Sequence, residues 1–313
     1  MLLDLGMVVG GLVVLLLAGD LLVKGAVNLS LRLGIPALLV GMTVVAFGTS
    51  APELLVSVRA AIEDAGGLAL GNVVGSNIAN ILLVLGAPAL ISAMAVGRDI
   101  TRDYAIMIGA SLLFIAVAFT GQIGTWQALV LLGAFALFMA DSIRRGLKSR
   151  VEPDELEGAD PGIGWPKITI FLVLGCIGLP LGANFLVTGA TAIATDLGVS
   201  DALIGLTLVA IGTSLPELAA TVMAAIRREG GVALGNIVGS NLFNLLFILG
   251  TAGLFGTMTF PPEMFRLDLW VMLGASLVLA PFIWRAAPIT RVWGVVLLLG
   301  YAGYLWVLIQ SGA

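Results

Sequence analysis

Two six-residue motifs each place a carboxylate inside an apolar segment: Gly48–Glu53 reads GTSAPE and Gly212–Glu217 reads GTSLPE. The proline of each motif lacks an N–H group and pushes the preceding helical turn open, which frees backbone carbonyl oxygens. Inside a membrane, freed carbonyls must face protein, water or an ion, and a carboxylate there indicates a functional site. Carboxylate, hydroxyl and carbonyl oxygens are the ligands of hard cations. The motifs therefore predict a cation site; the alternative is a pair of protonated structural glutamates.

A second motif, Gly71–Asn80 (GNVVGSNIAN), recurs as Gly235–Asn244 (GNIVGSNLFN). An asparagine or serine at every fourth residue forms a polar stripe on one helix face, and the two glycines form a Gly-xxx-Gly face that allows close helix packing. We expect each stripe to pack against a carboxylate-bearing segment, with all four helices around one centre. Four amides are predicted to be hydrogen-bond partners between helices rather than ligands: Asn72, Asn77, Asn236 and Asn241.

The inventory of side chains excludes several other chemistries. The chain has no histidine and a single cysteine, Cys176, which excludes histidine-based catalysis, disulfides and thiolate metal clusters. Soft and borderline metals prefer the nitrogen and sulfur ligands that are missing here. An oxygen set with two carboxylates suits calcium or sodium. We therefore expect a binding protein for hard cations, with no cofactor and no enzymatic activity.

Composition indicates that these motifs lie in a membrane. Of 313 residues, 59% are hydrophobic and 11% are charged, with a mean hydropathy of +1.12, whereas a soluble domain is about 25% charged. The lipid bilayer is thus an expected partner, and nucleic acid is not. Because a spanning helix needs about 20 apolar residues, ten spans are predicted, at about 3–23, 36–60, 68–95, 104–120, 124–141, 167–190, 200–226, 232–257, 267–284 and 290–310.

The two halves of the chain are copies of each other. Residues 41–86 align without a gap on 205–250, at an offset of 164, with 28 identities in 46 positions. A hydrophilic stretch at 142–166 divides the chain into a first repeat (1–141) and a second repeat (167–313). Each repeat contains five predicted spans, so the second enters the membrane from the opposite side. The predicted fold is an all-α membrane protein of ten transmembrane helices in two inverted five-helix repeats, as in many secondary transporters.

Lysine and arginine placement predicts the orientation. Positive residues accumulate in cytoplasmic loops. If the linker 142–166 is cytoplasmic, only Arg59 and Arg266 lie outside, and both termini lie outside the plasma (inner) membrane. The other thirteen basic residues then lie inside: Lys24, Arg32, Arg98, Arg102, Arg144, Arg145, Lys148, Arg150, Lys167, Arg227, Arg228, Arg285 and Arg291.

One charged pair lies outside the repeated motifs. Asp20 and Lys24 are four residues apart near the end of the first predicted span, which places them on the same helix face. Their counterparts in the second repeat are Asn184 and Thr188, so the pair is not part of the symmetric site. We predict a salt bridge at the membrane interface.

The combination of GTS-x-PE with GN-x-x-GSN-x-x-N, occurring twice, resembles the alpha-repeats of the calcium/cation antiporter superfamily, in its sodium/calcium exchanger branch of prokaryotic type. The resemblance covers about 46 residues in each half. It implies a central calcium site formed by Glu53 and Glu217 with the carbonyl groups of Thr49 and Thr213. It also implies flanking sodium sites and amide positions at Ala46, Ser50, Ser76 and Asn80 in one repeat and Ala210, Ser214, Ser240 and Asn244 in the other.

One departure from the family pattern concerns Asn244. Potassium-dependent and some archaeal exchangers carry aspartate at this position, so the amide here argues against potassium dependence and leaves two central carboxylates. The linker is too short for the calcium-sensing domains of animal exchangers. The resemblance implies a monomeric antiporter that exchanges sodium for calcium by alternating access. The alternatives are a proton-coupled or other divalent-cation antiporter of the same fold, an intramembrane serine hydrolase, and a passive channel.

Overall fold

The computed structural model describes residues 2–148, 160, 162–197 and 210–311, and it is almost entirely helical there. Eight helices of this part of the chain are long and apolar enough to cross a membrane, and a bent pair of helices forms a ninth candidate span. The one remaining predicted span, the seventh at 200–226, begins in residues that lie outside the described part of the chain. Its described remainder is the short apolar helix Leu215–Ile226. The protein is thus a helical membrane protein, and the count of ten stays a prediction.

The first half contains eight α-helices, two π-helical turns and one short strand. In chain order they are α1 (Leu2–Leu33), α2 (Ala37–Val40), a π-helical turn (Gly41–Val45), α3 (Ala46–Thr49), α4 (Ala51–Ile62), α5 (Gly66–Ala79), a π-helical turn (Asn80–Val84), α6 (Gly86–Ile91), α7 (Thr101–Ala118), β1 (Gln122–Ile123) and α8 (Thr125–Lys148).

The described residues of the second half repeat this order in part. They contain α9 (Trp165–Asp196), α10 (Ala210–Thr213), α11 (Leu215–Ile226), α12 (Gly230–Leu242), a π-helical turn (Phe243–Ile248), α13 (Leu249–Phe255), β2 (Met258–Thr259), α14 (Pro262–Arg266), α15 (Asp268–Val278), α16 (Ala280–Arg285) and α17 (Arg291–Ser311).

Several helices run beyond their predicted spans. Helix α1 continues ten residues past the expected end at residue 23 and stops before Gly34, whose φ of 65° suits a glycine, and Pro36. Helix α8 continues through Lys148, so the first residues of the predicted linker are helical. A hydropathy pattern marks only the part of a helix inside the hydrocarbon, whereas the helix itself continues until a residue breaks it.

Helices α1 and α9 pack along each other in opposite directions. A methyl group on Gly11 would lie 2.5 Å from the backbone nitrogen of Leu186, and one on Gly175 would lie 2.6 Å from Cβ of Leu22. These two contacts exchange under the offset of 164, since 11 corresponds to 175 and 22 to 186. The glycines let the backbones approach closely. The offset found in the motifs therefore extends to this helix pair, and its two members are antiparallel.

The chain segments between spans meet on two opposite faces. On one face, which we call the hairpin face, β1 pairs antiparallel with β2. On the other face, which we call the linker face, Met94 pairs with Ile289, and Arg145 of α8 forms an ion pair with the buried Asp103 of α7. The segments that meet on each face are those that the alternation of predicted spans assigns to one side of the membrane.

Candidate cation site

Each GTS-x-PE motif forms a break between two helices. Ser50 separates α3 from α4 with φ −85° and ψ 9°, and Ser214 separates α10 from α11 with φ −86° and ψ 2°. The two helices joined at Ser50 are bent by 49° relative to each other. In both copies the proline occupies the first turn of the following helix, where its missing N–H costs nothing. The predicted opening of the helix by proline is confirmed, with the break at the serine two residues earlier.

The break explains how a carboxylate and a cation can share this position. Glu53 and Glu217 lie in the first turn of α4 and α11, where the positive end of the helix dipole stabilises a negative charge. The preceding short helices end at the break, and the last carbonyl groups of a helix carry partial negative charge. Both glutamates are 1% exposed. The geometry thus combines a stabilised carboxylate with carbonyl oxygens suited to a cation.

The amides at the start of the second motif hold the glutamate-bearing helices. Asn72 donates through Nδ2 to Ser57 Oγ at 3.0 Å and to the carbonyl of Glu53 at 3.4 Å. Asn236 donates to Thr221 Oγ1 at 3.0 Å and to the carbonyl oxygen of the second glutamate at 3.4 Å. The two copies make the same contacts at equivalent positions. For these two amides, the predicted role between helices is confirmed.

Two hydrogen bonds link the first GTS-x-PE motif directly to the second repeat. Ser50 donates through Oγ to Glu217 Oε1 at 2.9 Å, and Thr49 donates through Oγ1 to Asn236 Oδ1 at 3.1 Å. Residues that are 167 and 187 positions apart in the chain therefore meet in one buried centre. The structure confirms that the motifs of the two repeats come together.

The last amide of each stripe lies in a π-helical turn. Asn80 begins the turn Asn80–Val84, and Asn244 lies in the turn Phe243–Ile248. Asn80 donates to Asn241 Oδ1 of the other repeat at 3.2 Å. Single π-helical turns are frequent at functional sites because they shift a side chain relative to a regular helix. Residue spacing contained no signal for these turns, because a polar residue at every fourth position predicts regular α-helix.

Ten buried side-chain atoms of the two motifs have no hydrogen-bond partner within the described part of the chain. Buried polar atoms are nearly always paired, and each exception calls for an explanation such as an ion or a water molecule. Nine of the ten are oxygens and one is an amide nitrogen; all except that of Asn77 belong to predicted ligands. The atoms are Glu53 Oε1 and Oε2, Glu217 Oε2, Ser76 Oγ, Ser214 Oγ, Ser240 Oγ, Asn77 Oδ1, Asn80 Oδ1, and Asn244 Oδ1 and Nδ2.

Three further predicted ligands, Ala46, Thr213 and Ala210, contribute no atom to this unpartnered set. The carbonyl of Ala46 accepts from the backbone of Ser50 at 3.0 Å and from Thr49 Oγ1 at 3.3 Å. Thr213 is half-buried at the end of α10, and Ala210 lies in the same helix with its side chain outside the described part of the structure. No group of three or more acidic, histidine or cysteine side chains occurs among the described residues. A bound cation would therefore depend on two carboxylates and neutral oxygens.

Comparison with known proteins gives consistent results for the whole chain. The family model described as sodium/calcium exchanger protein matches residues 3–143 and 167–310, one match in each half. The putative antiporter CaxA of Alkalimonas amylolytica is 38% identical over 312 residues, covering 96% of this chain and 97% of the relative. The sodium/calcium exchanger MaX1 of Methanosarcina acetivorans is 36% identical over 342 residues, covering 95% and 96%.

Solved structures match the fold over nearly its full length. A structure of the sodium-calcium exchanger NCX_Mj, obtained with Na⁺ and Sr²⁺, covers 99% of this chain and 98% of its own. The TM-score is 0.84 and the sequence identity is 31%. The helical fold is thus common to this chain and to NCX_Mj.

Proposed function

Because the chain belongs to the sodium/calcium exchanger family, we propose that it exchanges sodium for calcium across the membrane through the centre that contains Glu53 and Glu217. The observation that carries this proposal is the group of ten unpartnered buried atoms in the two motifs. Their chemistry, two carboxylates with hydroxyl and amide oxygens, matches the ligands that calcium and sodium take. Membership of the family makes cation antiport the class of function.

The proposed ligands divide by charge. Calcium would take both carboxylates, which match its charge of +2, together with the carbonyls of Thr49 and Thr213. Sodium would take the neutral oxygens on either side, with the carboxylates shared among the bound ions. The proposed sodium ligands and amide positions are Ala46, Ser50, Ser76, Asn80, Ala210, Ser214, Ser240 and Asn244.

Exchange follows from the charge of the empty centre. Two ionised carboxylates in a membrane interior are costly to move through a low-dielectric region without a counter-ion. Binding of calcium or of sodium compensates this charge, so the loaded protein changes conformation more easily than the empty one. Sodium and calcium compete for the same carboxylates, and the release of one follows from the binding of the other.

The proposed architecture is two inverted five-helix repeats, 1–141 and 167–313, with ten spans. Antiparallel packing of α1 on α9 supports the inversion. We place the linker 142–166 in the cytoplasm and both termini outside, on the basis of thirteen basic residues against two. The chain would function as a monomer, since both halves of the centre belong to one polypeptide.

The test is uptake of radioactive calcium into proteoliposomes containing the purified protein, with sodium, potassium and proton gradients varied independently. We expect an outward sodium gradient to drive uptake, and Glu53→Gln and Glu217→Gln each to abolish it. Glu263→Gln is the matched control, because Glu263 is exposed in α14. Uptake retained in both site variants would contradict the proposed centre. Uptake driven by protons instead of sodium would favour the proton-coupled antiporter.

A further inference from the structure

An ion pair joins the two repeats at the linker face. Arg227, at the end of α11, donates through Nε to Asp20 Oδ1 of α1 at 2.6 Å. Asp20 also pairs with Lys24 one turn further along the same helix, at 2.8 Å, as the spacing of four predicted. Its carboxylate thus has one partner on its own helix and one on the other repeat. The second partner is 207 positions away in the chain.

The ion pair lies where α1 packs closely on α11. A methyl group on Gly19 would lie 3.0 Å from the carbonyl oxygen of Ala219 and 3.2 Å from Cγ of Met223. Ala219 is accordingly only 8% exposed. The contact is therefore a backbone-to-backbone approach next to a charged pair, and it closes the space between these two helices on the linker face.

The equivalent contact on the hairpin face is not formed. Under the offset of 164, the contact between Gly19 and Ala219 corresponds to one between Ala183 of α9 and Leu55 of α4. Leu55 is 71% exposed, although Ala219 at the equivalent position is 8% exposed. The two repeats thus have different conformations at this position, with α11 covered by α1 and α4 left uncovered.

The positions on the hairpin face that are equivalent to Asp20 and Arg227 also lack this pair of opposite charges. The residues equivalent to Asp20 and Arg227 are Asn184 and Glu63. Asn184 is exposed on α9, and Glu63 pairs with Arg59 of its own segment at 2.8 Å. An amide and a carboxylate cannot form the ion pair that an aspartate and an arginine form. Among the described residues, a charged pair therefore joins the two repeats on the linker face, and the equivalent positions of the hairpin face form no such pair.

We propose that the Asp20–Arg227 ion pair is a latch that favours the conformation closed at the linker face over the conformation closed at the hairpin face. The proposal rests on the alternating-access function proposed above. In the second conformation, inverted symmetry exchanges the two contacts, so α1 leaves α11 and α9 covers α4. This change breaks the ion pair and forms no new one. The two conformations are therefore unequal in free energy, and the charge asymmetry determines which is more populated.

The test measures conformation without transport. A cysteine is introduced at Ala219 or, in a second protein, at Leu55, in a Cys176→Ala background, and the rate of reaction with a polar maleimide is measured on the full chain in nanodiscs. These two positions are equivalent under the repeat symmetry and serve as matched reporters. Arg227→Gln should speed labelling at position 219 by roughly twofold to fivefold, as expected when a partly exposed ion pair is lost, and should slow labelling at position 55.

Lys24→Gln is the matched control, because it removes the partner on the same helix and leaves the link between repeats. It should change labelling at position 219 by less than about twofold. If Lys24→Gln changes the labelling rate at position 219 as much as Arg227→Gln does, or if Arg227→Gln does not change it, the proposed latch is contradicted. The double variant Asp20→Asn/Arg227→Gln should change the labelling rate at position 219 as much as Arg227→Gln does alone, because both substitutions remove the same ion pair.

A second variant adds an equivalent ion pair to the opposite face and leaves the Asp20–Arg227 pair in place. Glu63→Arg with Asn184→Asp gives the hairpin face the two charges in equivalent positions. It should speed labelling at 219 and slow labelling at 55, and unchanged rates at both positions would overturn the proposal. Absence of sodium-driven calcium uptake in the unmodified protein would contradict the exchange function alone, whereas unchanged labelling with intact exchange would contradict the latch alone.

Discussion

Ser50 donates a hydrogen bond to Glu217 across the two repeats, whereas its counterpart Ser214 makes no such bond to Glu53. Both hydroxyls are buried, and both carboxylates belong to copies of the same motif. The sequence symmetry of the motifs is therefore not a symmetry of their hydrogen bonds. The two glutamates differ, since one has a cross-repeat donor and the other has both carboxylate oxygens unpartnered.

This difference predicts unequal effects of removing the two hydroxyls in the absence of ions. Ser50→Ala should lower the free energy of unfolding by about 1–3 kcal/mol, because it leaves a buried carboxylate oxygen without its donor. Ser214→Ala removes a hydroxyl that is itself unpartnered, so it should change the free energy of unfolding by less than about 0.5 kcal/mol. Thermal unfolding of both variants in buffer free of sodium and calcium measures the difference. Equal losses would show that the bond to Glu217 contributes nothing.

Calcium should stabilise the unmodified protein through the same centre. A ligand that binds only the folded state stabilises it by about 2.7 kcal/mol at a concentration of 100 times its dissociation constant. Calcium at such a concentration should therefore raise the midpoint of thermal unfolding, and chelation should reverse the rise. Glu53→Gln should remove the rise, whereas Glu263→Gln should keep it. A rise that persists in Glu53→Gln would place calcium at another position.

The close approach of α1 and α9 predicts a large difference between two adjacent glycines. Gly11→Leu should destabilise the protein by about 1–3 kcal/mol, because a side chain there meets the backbone of Leu186 and overpacks the contact. Gly10→Leu should change stability by less than about 0.5 kcal/mol, since Gly10 is exposed. The two variants can be compared by their midpoints of thermal unfolding in detergent. If the two variants unfold alike, the glycine contact between α1 and α9 is not what holds these helices together.

The linker face contains a buried acid that depends on one arginine. Asp103 is fully buried and pairs with Arg145, which also binds Asp141 at 3.0 Å. Arg145→Gln should cost about 3–5 kcal/mol, because it leaves a buried carboxylate without its counter-charge. Arg102→Gln removes a largely exposed partner of the same Asp141 and should cost at most about 1 kcal/mol. Chemical denaturation of both variants measures these losses in the free energy of unfolding. A loss from Arg145→Gln as small as that from Arg102→Gln would show that buried Asp103 does not depend on Arg145.

Much of the candidate site could be predicted from residue types and spacing because the interactions concerned are local. A proline three residues after Thr49 opens a helix wherever that helix lies, and four-residue spacing places Asp20 beside Lys24 in any helix. Hydrophobic composition required membrane burial, and duplication required that Glu53 and Glu217 have equivalent neighbours within their own repeats. Asn72 and Asn236 illustrate this, since each bonds the segment of its own glutamate in the same way.

Other features depended on how the two repeats are placed against each other. The bond from Ser50 to Glu217, the ion pair of Asp20 with Arg227 and the unequal exposure of Leu55 and Ala219 all join residues far apart in the chain or distinguish equivalent positions. Two nearly identical motifs contain no information about which of them makes a cross-repeat contact, because that choice belongs to the relative position of packed helices. The sequence by itself determined the duplicated oxygen-rich motifs and their membrane setting, and only the tertiary structure decided that α1 covers α11 at Ala219 while the equivalent Leu55 of α4 stays exposed.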